Sequence, residues 1–212
     1  IFPIIIGFLV PAVVLSVLSV KYFAISWTSE FRNLVVNSLV LSMSASLIVL
    51  LIALFLAYCR RIYSGAILGF VIKIASMGYA MPGAVLAIGI LLPLGAFDNF
   101  IDSISRRWFG LSTGLIFSGT FFAVLFAYIV RFLTIAMGQI ESSLGKISSS
   151  MDMASKALGY SSYRGFWRHH FPLLRGGAIV ALIIVFVDCM KELPATLILR
   201  PFNFDTLAVH VY

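Results

Sequence analysis

Charge is scarce in this sequence. Only 11% of its 212 residues are Asp, Glu, Lys or Arg, where a soluble domain carries about 25%. The eight acidic residues are scattered, with no recognisable ligand spacing, so no metal site is expected. Cysteine is almost absent as well. Cys59 and Cys189 lie far apart in apolar runs, which excludes a disulfide framework and a paired-Cys zinc motif. There is no G-x-x-x-x-G-K-[S/T] loop to cradle a nucleotide and no H-E-x-x-H. Nothing resembles a nucleophile beside its base. The chain is expected to be no enzyme by its own residues and to hold no tightly bound cofactor. A basic start with a small-residue cleavage site is also missing. The sequence opens at Ile1 inside an apolar run and reads as a fragment of a longer polypeptide.

What is present is hydrophobic: 61% of the residues are apolar and the mean hydropathy is +1.08. That excess fits no water-soluble core and predicts an all-α, polytopic transmembrane helical bundle. Five stretches reach the roughly 20 apolar residues a crossing needs: residues 4–20, 34–58, 67–94, 115–132 and 178–199. Together they make one transmembrane domain over residues 1–212. The first is short and carries Pro11. The third carries Lys73 and Pro82, which predicts a kink or a broken helix. Lys73 is expected to snorkel to a membrane boundary. Gly65, Gly69, Gly78 and Gly83 read as sites of close helix packing. The net charge of +7 is read as basic loops rather than nucleic-acid binding. Loops 59–66 and 131–177 hold eight Lys and Arg against five in the alternate set, Arg131 included. The positive-inside rule then puts 131–177 in the cytoplasm and the chain's end on the outer side. An odd number of spans suggests that a final helix is missing.

The basic stretch "SKALGYSSYRGFWRHHFPLLRGG", residues 155–177, departs from its apolar surroundings. Ser149-Ser150-Met151-Asp152 has capping-box spacing and predicts a short helix from about Ser150 to Leu158. Gly159 suits the left-handed residue that closes it. Ser161 or Ser162 can cap a second helix, with Tyr163, Phe166 and Trp167 on one apolar face and Arg164 and Arg168 on another. Pro172 is expected to turn the chain. His169 and His170 read as surface residues of this loop. By its residues alone such a knob suits either a membrane surface or a groove on a partner.

The same stretch resembles the EAA loop of ABC-importer permeases: E-A-A, three residues, Gly, nine residues, I-x-L-P. Met153-Ala154-Ser155 falls on E-A-A, Gly159 on the glycine, and His169-His170-Phe171-Pro172 on I-x-L-P. Met153 replaces the acid, with Asp152 just before it, and His169 replaces the Ile. The resemblance implies a coupling loop, about residues 133–177, whose Asp152, Met153, Ala154, Ser155, Gly159, Phe166, Phe171 and Pro172 meet a cytoplasmic ATPase. ATP and Mg²⁺ would sit on that partner.

Three further segments, "MKELPATLILRPFNFDTLAVHVY", "GYAMPGAVLAIGIL" and "AYIVRFLTIAM", are similar to the ferric-iron branch of these permeases, which also includes thiamine and polyamine carriers. The resemblance implies the second half of a permease in the bacterial inner membrane. Its partners would be ATPase subunits, a periplasmic substrate-binding protein, a second permease half and the lipid bilayer. Asp188, Lys191 and Glu192 lie in or beside an apolar span, where charge is expensive and faces protein or a water-filled path. Lys191 has Asp188 as its better partner and Glu192 as a poorer one. The trio reads either as an internal ion pair that fixes packing or as a pathway or gate. A relay in an ion-gradient-driven secondary transporter is the rival from another class. Asp205 and the tyrosines are candidate oxygen donors, but they form no cluster with recognisable ligand spacing.

Overall fold

The computed structural model describes residues 2–63 and 65–212, with only the backbone described for Ser149, Ala154, Lys156 and Ser162. Among the described residues the regular structure is helical throughout. Five helices are long and apolar enough to cross a membrane: α1 (Phe2–Ser26), α2 (Ser29–Ile62), α4 (Gly83–Phe109), α5 (Phe121–Gly145) and α7 (Tyr163–Met190). Shorter helices join them: α3 (Ala66–Ala75), α6 (Ser149–Ala157), α8 (Pro194–Leu199) and α9 (Leu207–Val211). The molecule is a polytopic helical bundle, as its hydropathy requires.

Helices α2, α5 and α7 pack against one another as its centre. Their contact faces are lined with small residues: Ala45, Ala53 and Ala57 on α2, Ala123, Ala127 and Ala136 on α5, and Ala178 and Ala181 on α7, all buried. Lipid is as apolar as leucine, so association here rests on close backbone approach rather than on removal of water. Helix α4 joins through α5 and α8. No residue of α1 is buried.

The break expected at Pro82 is present, and two other expectations need correction. The stretch 67–94 is two elements. Helix α3 stops at Ala75, a 3₁₀ turn covers Gly78–Ala80, and the spanning helix starts at Gly83 after Pro82. Proline has no N–H to give and fixes its own φ, so the helix restarts behind it. The stretch 115–132 begins as loop. The fully buried carboxylate of Asp98 accepts the backbone N–H groups of Ile116, Phe117 and Ser118 and the Ser118 hydroxyl. That fixes the chain outside a helix until Thr120, and α5 then runs on to Gly145. Arg131, counted from sequence as a loop charge, is therefore in the middle of a span.

The second correction concerns Pro172. No turn occurs there. The chain continues as helix from Ser162–Gly165 through a π turn at Phe166–His170 into Phe171–Met190. The same device precedes Pro11, where Ile5–Leu9 forms a π turn. A proline inside a regular helix clashes with the carbonyl four residues back. One wider turn before it moves that carbonyl away, and the helix bends instead of ending.

Candidate functional site

The basic loop is α6, a bend, and the first turns of α7. At the bend Gly159 has φ +75°, and the Tyr160 N–H donates to the Ser155 carbonyl at 3.1 Å. This is the six-to-one bond of a Schellman closure with glycine at its left-handed position. The expectation for Gly159 holds. The capping box involves Ser149, whose side chain lies outside the described residues, as does that of Ala154. Ser155 is buried, its hydroxyl close to where a Cβ on Gly165 would stand. The small third residue of the motif thus lets α6 lie directly on the start of α7.

Asp152 and Met153 diverge. Met153 is 64% exposed. Asp152 turns inward, where one carboxylate oxygen accepts from Arg61 Nε at 2.9 Å and the other sits 2.6 Å from His170 Nε2. His170 is buried, with Nδ1 3.2 Å from the Gly165 carbonyl; the expectation of a surface histidine is corrected. Its ring also meets Tyr58 edge-on at 5.4 Å. The Arg61 guanidinium donates further to the carbonyls of Leu144 at 2.7 Å, Ile147 at 2.9 Å and Ser148 at 3.3 Å. These carbonyls lie in the last turn of α5 and in the link from it to α6, where a cation is favoured. One arginine at the end of α2 therefore ties down the end of α5 and α6, and through Asp152 and His170 the start of α7. Sequence reading missed Arg61. The available signal was a basic pair, Arg60-Arg61, closing a long apolar run.

The aromatic face is formed as expected. Phe166 lies 4.7 Å from Tyr58, and Trp167 lies 5.2 Å from Phe166 and 5.0 Å from Phe171. With Tyr163 these rings line an apolar groove against Leu51, Leu54 and Phe55 of α2. Arg164 and Arg168 are exposed. Pro172 follows the π turn and is itself exposed.

A second polar cluster lies at the other end of α7. Lys191 and Asp188 pair at 2.6 Å, with the lysine side chain 70% exposed. Glu192 does not pair with Lys191. It is buried and faces Arg131 of α5 at 3.2 Å. Gly83 and Gly78 stand where a Cβ would strike Glu192 and the Val130 carbonyl respectively, whereas Gly65 and Gly69 face open space. The close-packing reading therefore holds for two of the four glycines. Asp205 pairs with Arg200, and its backbone carbonyl accepts from Asn37 at 3.1 Å. Among the described residues no group of three His, Cys, Asp or Glu side chains comes together to hold a metal.

Among the described residues, five apolar spans, two interrupted helices joined by buried charge and a clasped loop between spans define a polytopic helical membrane protein. Homologues of this chain are permease proteins of transport systems. It is 25% identical over 184 residues to the Fe(3+)-transport system permease protein FbpB 2 of Haemophilus influenzae, covering 87% of this chain and 33% of that protein. The molybdenum transport system permease protein ModB of the same organism is 29% identical over 162 residues, covering 76% and 68%. The ferric transport system permease protein FbpB of Actinobacillus pleuropneumoniae is 28% identical over 178 residues, covering 83% and 25%. The chain spans about a third of the length of the first of these. No protein-family model matches it.

Proposed function

We propose that this chain forms half of the translocation path of an ATP-driven importer in the bacterial inner membrane, with ferric iron as cargo. The observation that carries the proposal is the loop. It combines the spacing of an ATPase-docking segment with a direct tie, through Arg61, to the ends of two spans and unbroken continuity with a third. A load applied to α6 is thereby delivered to α2, α5 and α7 together. Packed helices respond to such a load as rigid bodies.

In this reading the loop is cytoplasmic and an ABC ATPase subunit grips it. ATP and Mg²⁺ stay on that subunit, and this chain supplies no catalytic group. A periplasmic binding protein delivers the cargo, and a second permease half or subunit completes the path. The Fe(3+) permeases among the relatives support iron; the molybdenum permease keeps an oxyanion in the comparison.

The test is co-purification and uptake with the full transporter. The wild-type chain is expected to retain the ATPase subunit and to support uptake of radioactive ferric iron that molybdate, thiamine and polyamine do not compete. Deletion of residues 153–172 is expected to lose the ATPase. Retention of the ATPase by the deletion variant contradicts the coupling role. Uptake that persists without any ATPase and collapses with an ionophore assigns the chain to ion-gradient transport instead.

A further inference from the structure

Helix α5 carries Tyr128, Arg131 and Thr134 at successive three-residue steps, which puts them on one face. Each of the three donates to a backbone carbonyl at a helix break. Thr134 Oγ1 donates to the Ser76 carbonyl at 2.8 Å and Arg131 to the Met81 carbonyl at 2.6 Å, both in the interruption between α3 and α4. Tyr128 donates to the Glu192 carbonyl at 3.3 Å, in the interruption between α7 and α8. The Glu192 carboxylate then closes the structure. It meets Arg131 at 3.2 Å and accepts the Ala195 N–H at 3.4 Å, at the start of α8. Two separate breaks are thus fastened to one helix, and a single ion pair links them.

The position is deep. Arg131 and Leu144, the carbonyl that Arg61 caps, are separated by roughly 20 Å of helix at 1.5 Å per residue, in a hydrocarbon layer about 30 Å thick. Interrupted backbone at that depth survives only against protein or beside water. The α5 side is protein. On the other side Tyr79, Met81 and Lys191 are exposed, and a lysine open to lipid there is strongly disfavoured.

Building on the permease reading, we infer that Arg131 and Glu192 form a latch across a water-lined transport path, of which Tyr79, Met81 and Lys191 are one wall. Paired, the two residues hold both helix breaks against α5 and keep the path shut at this depth. Parted, they release the Gly78–Ala80 turn and α8, and the path opens to the far side. The breaks supply the freedom to move, and the ion pair decides when they do.

The test uses membranes containing the whole transporter and a charged, membrane-impermeant methanethiosulfonate as the probe. A thiol reacts as its thiolate, which forms only in contact with water, so Tyr79→Cys and Lys191→Cys are expected to label at least ~10-fold faster than Leu51→Cys on the apolar outer face of α2. Natural cysteines set the background. Labelling of Lys191→Cys is expected from one side of the membrane in the otherwise native chain, from both sides when Glu192→Gln is added, and from one side again with Glu192→Asp. Labelling no faster than Leu51→Cys overturns the wall. One-sided labelling unchanged by Glu192→Gln overturns the latch. If Glu192→Gln fails to reach the membrane, Arg131→Gln is read in its place, and the comparison with Leu51→Cys needs neither variant. None of these readings requires the ATPase, so an importer hypothesis that fails on co-purification leaves this one standing, and the reverse.

Discussion

Asp152 and Met153 are neighbours with opposite surroundings, and the difference shows what a single residue does here. The acid is turned into the molecule, where Arg61 and His170 take both its oxygens. The thioether is left in the open. An acid offset by one position from the Glu of the EAA pattern that this loop resembles is thus not presented outward in its place. The pair is only partly buried, so removing one partner costs its charge-assisted hydrogen bonds rather than stranding a fully desolvated charge. Arg61→Ala is expected to lower stability by about 2 kcal/mol, read as a fall in the detergent-solubilised unfolding midpoint. Arg61→Lys is expected to recover only part of this, because an ammonium lacks the planar fork that reaches a carboxylate and three carbonyls together. Asp98 follows the same logic at the opposite end of the bundle. Asp98→Leu strips three N–H groups and a hydroxyl of their acceptor. Limited proteolysis is expected to cut the 110–119 loop at least ~10-fold faster, since local opening of a few kcal/mol less sets the cleavage rate.

At the scale of elements, the proposed function rests on the bend and the breaks. Gly159 is in the left-handed region, where a β-branched residue is strained by about 1–2 kcal/mol. Under the proposed importer function, Gly159→Val is therefore expected to impair ATP-driven uptake while cargo binding by the proposed periplasmic partner is unchanged; equal uptake contradicts it. The helix-closing glycine, the aromatic face of Tyr163, Phe166 and Trp167, and the number of spans were legible in the sequence because each follows from local chemistry or periodicity. The element edges were not. Residues 115–120 are apolar enough for a span but are held as loop by Asp98, nearly twenty residues upstream, and hydropathy has no access to that contact. Pro172 looked like a turn because proline ends regular helices, yet a π turn before it lets the helix continue. The Arg131–Glu192 pair was hidden for the same reason. Its members are sixty residues apart, and only the packing of α5 against the α7–α8 break joins them.

For the molecule as a whole, the two polar clusters sit at different depths of one helical frame. The Arg61–Asp152–His170 clasp gathers the ends of α2 and α5 with the start of α7, and the Arg131–Glu192 pair lies roughly 20 Å along α5 from it at 1.5 Å per residue. Helices α5 and α7 connect the two directly. Movement imposed on the loop reaches the helix breaks through rigid rods whose small-residue faces leave little room for independent sliding. In contrast, α1 buries no residue against this frame. Under the proposed importer function, the measurement that bears most directly on the account is the ratio of ferric ions imported to ATP hydrolysed by the reconstituted transporter, compared between the native chain and Asp152→Asn with ATPase retention verified. The expected result is a ratio lowered at least ~10-fold, equivalent to about 1.4 kcal/mol of lost coupling, with hydrolysis persisting. An unchanged ratio would mean that the clasp carries no load, and would contradict the account.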